Sequence, residues 1–110
     1  MSKDGLGGFE QLVLLALLRL GEPAHTAPLV IEIEERSGRP VSAAKVYIAL
    51  RRLEQRGLVI SCKREPEPGE GGRGRRSFKA TARAVALLRR NRRTLERFWE
   101  GLKPLEDEAR

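Results

Sequence analysis

The chain has 110 residues, a formal net charge of +7 and a pI near 10.5. That length holds one domain with one modest core, and the basic balance points to a polyanionic partner. One cysteine, Cys62, excludes an internal disulfide, and with one histidine, His25, neither a zinc cluster nor a nucleophile triad can be assembled. No enzymatic activity, metal or cofactor is expected, and Cys62 reads as a buried strand thiol. The most apolar run, Leu12 to Leu18, is too short to span a bilayer and follows no leader pattern, so the protein is expected to be soluble and cytoplasmic.

Phe9 to Leu20 predicts a helix with almost no polar face, stopped by Gly21 and Pro23. Such a helix must be buried on more than one side, and in so small a domain one of those sides is expected to be another subunit. A second helix is predicted from Thr26, as N-cap with Pro28 in the first turn, to Gly38, with Leu29, Val30 and Ile33 inward. The third runs from the N-cap Ser42 to Arg56, before Gly57. Val46, Ala49, Leu50 and Leu53 follow the i, i+3, i+4, i+7 rule of one buried face. Ala44, Ile48, Arg51 and Gln55 then point outward, flanked by Lys45 and Arg52 on one side and Tyr47 on the other. An isoleucine amid a basic outer face implies a partner.

Leu58 to Arg64 and Arg75 to Ala80 read as two strands of a hairpin, with Phe78 inward, and Thr81 caps a last helix reaching about Gly101. The expected order is α-α-α-β-β-α, mainly helical with a small β-hairpin. Residues 1–80 are expected to form one domain, and residues 81–110 a further helix with a short tail.

The tip between the strands contains GEGGRG, in which Gly69, Gly71 and Gly74 satisfy G-x-G-x-x-G. A dinucleotide site needs a buried strand before these glycines and a helix after them. Here EPEP precedes and the strand-like RRSFK follows, so the nucleotide reading is rejected. A basic wing remains, carrying Arg73, Arg75 and Arg76. Residues 45–79 hold ten basic and four acidic side chains, a net of +6, whereas residues 1–44 sum to −2 and residues 80–110 to +3. Charge runs are usually solvated surface. Nucleic acid is favoured here because charge, outward face and hairpin coincide.

Three stretches, LLALLRLGEPA, IEIEERSGRPVSAAKVYIALRRLEQRGLV and GGRGRRSFKAT, resemble the PadR family of winged helix-turn-helix transcription regulators over about residues 9–90. The pairing of V-Y-x-A-L-R-R-L-E with G-G-R-x-R-R carries most of the likeness. The resemblance implies a dimer built on the C-terminal helix, mostly a repressor, with the third helix as recognition helix and the hairpin as wing. The chain departs from the family in having His25 and Thr26 after GEPA, Ala44-Lys45 where a Gly-Thr pair is common, and Ile48 where an arginine is common.

On this reading Ser42, Ala44, Lys45 and Ile48 meet base edges of double-stranded DNA, with Lys45 donating to guanine and Ile48 or Ala44 against a thymine methyl. Tyr47 suits a phosphate oxygen or, as readily, packs half against the wing. Arg51, Arg52, Arg73, Arg75 and Arg76 reach the backbone, unless they make surface ion pairs with Glu54 or Glu70. In the last helix Ala84, Val85, Leu88, Leu95, Trp99 and Leu102 form a broad stripe beside Leu87 and Phe98, wide enough for a partner chain. A homodimer of that kind fits a pseudo-palindrome with half-sites about one helical turn apart. Some family members bind aromatic or drug-like molecules at the dimer interface, so Trp99 is the candidate contact for a small hydrophobic effector, although packing explains it more simply. A winged-helix protein–protein adaptor and a non-specific architectural DNA-binding protein are the rival classes.

Overall fold

The computed structural model describes residues 5–21, 23–63 and 76–102. Three helices come first: α1 (Gly8–Leu20), α2 (Thr26–Ser37) and α3 (Ala43–Gln55). Two strands follow, β1 (Val59–Lys63) and β2 (Arg76–Ala80), and then α4 (Ala82–Trp99). The architecture is the expected mainly helical winged helix with an antiparallel hairpin.

Local chemistry fixes most of the boundaries. Ser42 Oγ accepts a hydrogen bond from the Lys45 amide at 3.1 Å, and Thr81 Oγ1 accepts one from the Ala84 amide at 3.2 Å. Each satisfies a donor that the first helical turn leaves unpaired. Gly57 ends α3 with φ +76°, a conformation that L side chains rarely adopt. Removing the α3 cap should cost about 1 kcal/mol. Urea unfolding of Ser42→Ala should therefore show a lower midpoint with an unchanged slope.

Two boundaries differ from the expectation. Thr26 is the first helical residue and His25 the N-cap, whose side chain does not cap the helix. The His25 ring turns instead to the wing, its Nδ1 lying 3.1 Å from the Arg76 carbonyl oxygen. The last helix ends at Trp99, with Glu100 as C-cap.

The core gathers Leu14, Leu17, Leu29, Val46, Leu50, Leu53 and Phe78, with Ala84 and Leu88 of α4 joining it. Among these, Phe78 is the largest fully buried side chain. It stands in the middle of β2, paired on both edges. On one side β2 pairs with β1 in the register Val59↔Ala80 to Lys63↔Arg76. On the other, Ala24 exchanges two backbone hydrogen bonds with Phe78, at 2.8 and 2.9 Å. The chain between α1 and α2 is thereby stitched to the wing.

Cys62 is exposed, contrary to the expectation of a buried thiol. The register gives the reason. Successive strand side chains alternate faces, so Val59 and Ser61 face the same way as Ala80 and Phe78. Cys62 falls on the other face with Ile60 and Lys79, which is open to solvent.

On the far side of the bundle Glu32 accepts hydrogen bonds from Arg36 at 2.7 Å and Arg19 at 3.1 Å, tying α2 to α1. The Arg36 bond, helped by Arg19, holds the Glu32 carboxyl below its ordinary value of 4.5, although desolvation acts the other way. A lowered carboxyl contributes stability above its unfolded value and loses it as the pH falls through the folded one. Glu32→Gln should therefore flatten the acid limb of a stability–pH curve, read by thermal melts below pH 4.5 against melts at pH 7.

Candidate nucleic-acid interface

Helix α3 buries Val46, Ala49, Leu50 and Leu53 and turns the opposite face outward. Ala44, Lys45, Ile48, Arg51 and Arg52 are all exposed, with Ile48 at 52%. The outward face expected of α3 is therefore one continuous surface. It borders an open groove of ≈ 1310 Å³ that runs between α3 and the start of α1, lined among others by Phe9, Ser42, Lys45, Ile48 and Arg52.

Lys45 does not dangle into this groove. Its Nζ sits 4.4 Å from the centroid of the Phe9 ring, a cation–π contact that orders the ammonium beside the outward face. The sequence reading placed Phe9 only as the first residue of an apolar helix. Nothing in its spacing distinguishes it, because the contact depends on how α1 crosses α3.

Tyr47 is 41% exposed, and its ring meets Phe78 edge-on with centroids 6.3 Å apart and planes at 78°. The ring is thus half-packed against the wing's central strand. Arg51 takes one of the two anticipated ion pairs, with Nη1 3.6 Å from Glu54 Oε1. Glu54 also accepts the Ser61 hydroxyl, and Ser61 Oγ accepts from Arg76 Nη1 at 3.0 Å. Arg51, Glu54, Ser61 and Arg76 form a polar relay from the recognition helix to the base of the hairpin. Glu54 and Ser61 carry no sequence signal for this role, since a strand serine beside a helical glutamate is ordinary surface composition.

Arg76 thus lies next to α3, as a wing-base residue. Arg73 and Arg75, together with the glycine-rich tip, lie outside the described residues. Trp99 is placed far from this surface, on α4, 60% exposed beside Leu95 and Phe98. It lines a second groove of ≈ 600 Å³ between α1 and α4, with Leu15, Leu18, Leu88 and Leu95. Among the described residues no helix is long and apolar enough to cross a membrane.

An outward basic helix, a flanking hairpin and a helical core define a winged-helix DNA-binding protein. The model of the PadR-like family of transcriptional regulators matches residues 14–90, and the chain belongs to that family. Its members are DNA-binding regulators, not enzymes. The PadR family transcriptional regulator of Eggerthella lenta is 30% identical, with 86% of this chain and 80% of that one covered at a TM-score of 0.66. A PadR family transcription regulator of Clostridium difficile shares the fold at 18% identity and TM-score 0.62, over 93% of this chain and 98% of that one. The ORC1 protein of Aeropyrum pernix, solved in complex with DNA, shares it at 21% identity and TM-score 0.63, over 78% of this chain and 24% of that one. No curated protein matches the chain.

Proposed function

We propose that the protein acts as a homodimeric repressor that recognises a pseudo-palindromic operator, with residues 1–80 binding DNA and residues 81–110 assembling the dimer. The observation that carries this reading is the outward face of α3. Lys45 and Ile48 stand exposed on one basic surface, with Phe9 ordering the lysine. Ser42, Ala44, Lys45 and Ile48 read base edges. Tyr47, Arg51, Arg52, Arg73, Arg75 and Arg76 hold the backbone.

Two features support assembly through α4. Leu12, Leu15 and Leu18 of α1 remain between 40 and 44% exposed, and Leu95, Phe98 and Trp99 of α4 more so. A second copy would cover both sets. A small planar hydrophobic effector fits the same α1–α4 groove beside Trp99, and its binding there would bias the spacing of the two recognition helices. Trp99 fluorescence titrated with such compounds checks this, and no response from any of them removes the effector from the proposal.

The operator reading is tested by titrating the protein into DNA from its own upstream region and into a scrambled duplex, at two salt concentrations. Selective binding that survives physiological salt is expected. Lys45→Ala should then lose about 1–3 kcal/mol of discrimination at the base pair it reads, with little change on scrambled DNA. Equal binding to both duplexes, collapsing with salt, would favour the architectural reading. Absent DNA binding by an intact dimer would favour the adaptor, with Ile48 as its apolar anchor.

A further inference from the structure

Behind the recognition face lies a cleft of ≈ 320 Å³ that neither the base-reading surface nor the α1–α4 groove accounts for. Four of its lining residues are arginines, Arg56, Arg83, Arg90 and Arg93, set around the apolar side chains of Leu58 and Leu87. None of the described residues that line it is acidic. Arg83, Arg90 and Arg93 follow one another at i, i+7 and i+10, which places them on one face of α4. The arrangement is tied together at one end, where Arg83 Nη1 donates to the Arg56 carbonyl at 3.3 Å. Arg56 itself is anchored from the opposite direction, by Gly5 O at 2.7 Å and Glu10 at 3.5 Å. Arg92, on another side of the same helix, is neutralised by Glu96 at 3.2 Å. Among the described residues Arg90 and Arg93 have no such carboxylate.

Like charges this close on one helix repel each other, and a concave surface with an apolar floor concentrates their field. Guanidinium groups have the planar fork that pairs with phosphate oxygens two at a time. From this geometry we infer that the cleft is a phosphate-binding site, and that it takes a backbone phosphate of the DNA just beyond the recognition groove. Arg56 gives the reason for that source: it lines both the cleft and the groove of α3. A phosphate chain leaving Arg52 passes Arg56 and meets Arg90 and Arg93 next. The DNA source rests on the DNA-binding reading above, whereas the cleft's affinity for phosphate does not.

The test is the double variant Arg90→Gln/Arg93→Gln, which keeps helix-forming side chains at two exposed positions. Its control is Arg19→Gln/Arg36→Gln, an equal charge loss at two exposed positions on the far side of the bundle, outside both the cleft and the α1–α4 groove. Each phosphate contact contributes about 0.9 to the slope of log K against log salt. The cleft variant should lower that slope by about 0.9 for each protomer bound, nearly 2 for a dimer with two clefts, on operator and scrambled duplex alike, while the control changes it far less. Shortening the duplex to the recognition site alone should abolish the difference between wild type and cleft variant.

Inorganic pyrophosphate separates the second source. If the DNA slope matches the control but pyrophosphate raises the melting temperature of the wild type and not of the cleft variant, the site takes a free phosphate ligand and the DNA source is wrong. If neither readout separates cleft variant from control, the inference is overturned. A wild type without operator preference would end the operator reading and leave this test intact, because the slope can be read on either duplex.

Discussion

On the proposed α4 dimer, Leu95→Glu should convert the protein to a monomer and lower its operator affinity by at least two orders of magnitude. Leu95 is 54% exposed in the single chain, between Trp99 at 60% and the buried Leu88 a turn and more earlier. Burying a leucine or larger side chain at an interface stabilises it by roughly 1.5–3 kcal/mol. A carboxylate in the same place loses that contribution and adds the cost of desolvating a charge. The effect on DNA is larger than the effect on assembly alone, because two linked recognition helices gain about 10²–10⁴ in avidity over one. Light scattering on a sizing column reads the assembly, and fluorescence anisotropy reads the DNA. A Leu95→Glu protein that stays dimeric would move the interface away from α4. A monomer with undiminished operator affinity would show that one wing and one helix suffice.

Phe78→Ala should destabilise the domain by about 3–5 kcal/mol, a large share of the stability of a domain this size. Phe78 fills the core from the middle of β2, supports the Tyr47 ring and lies between β1 and Ala24. The cavity left by alanine cannot close without moving at least one of these. Urea unfolding followed by circular dichroism measures the loss. Where the variant still folds at low temperature, its DNA affinity should fall on all sequences alike if, as proposed above, the wing positions the backbone and reads no bases. A loss under 1 kcal/mol would mean that α1 and α4 hold the core without the hairpin, and the stitched arrangement described above would then be structurally idle.

Much of the fold was legible in the sequence because its signals are local. The four buried positions of α3 follow from a 3.6-residue period, and Ser42, Thr81 and Gly57 mark ends by their own chemistry. Phe78 was legible as inward for the same reason. Cys62 departs from the buried position its apolar neighbourhood implies because alternation decides: a strand with Val59 inward must turn Cys62 outward. His25 shows the opposite case. Threonine is the better N-cap by composition, yet the ring's contact with the wing sets where α2 begins. The outward face of α3 could be read from one helix alone. The Phe9–Lys45 contact, the relay through Glu54 and Ser61 and the arginine cleft could not, because each depends on how separate elements pack against one another.

The two hydrogen bonds between Ala24 and Phe78 also bear on how a signal would travel. They join the segment leaving α1 to the central strand of the wing, and both are made by main-chain atoms. A ligand or partner that shifts α1 therefore pulls on the wing through a peptide clasp. Substituting side chains along that path, other than Phe78 itself, leaves the donors and acceptors of the clasp in place. Any coupling between the α1–α4 groove and the outward face of α3 that runs through this clasp would rest on main-chain atoms alone.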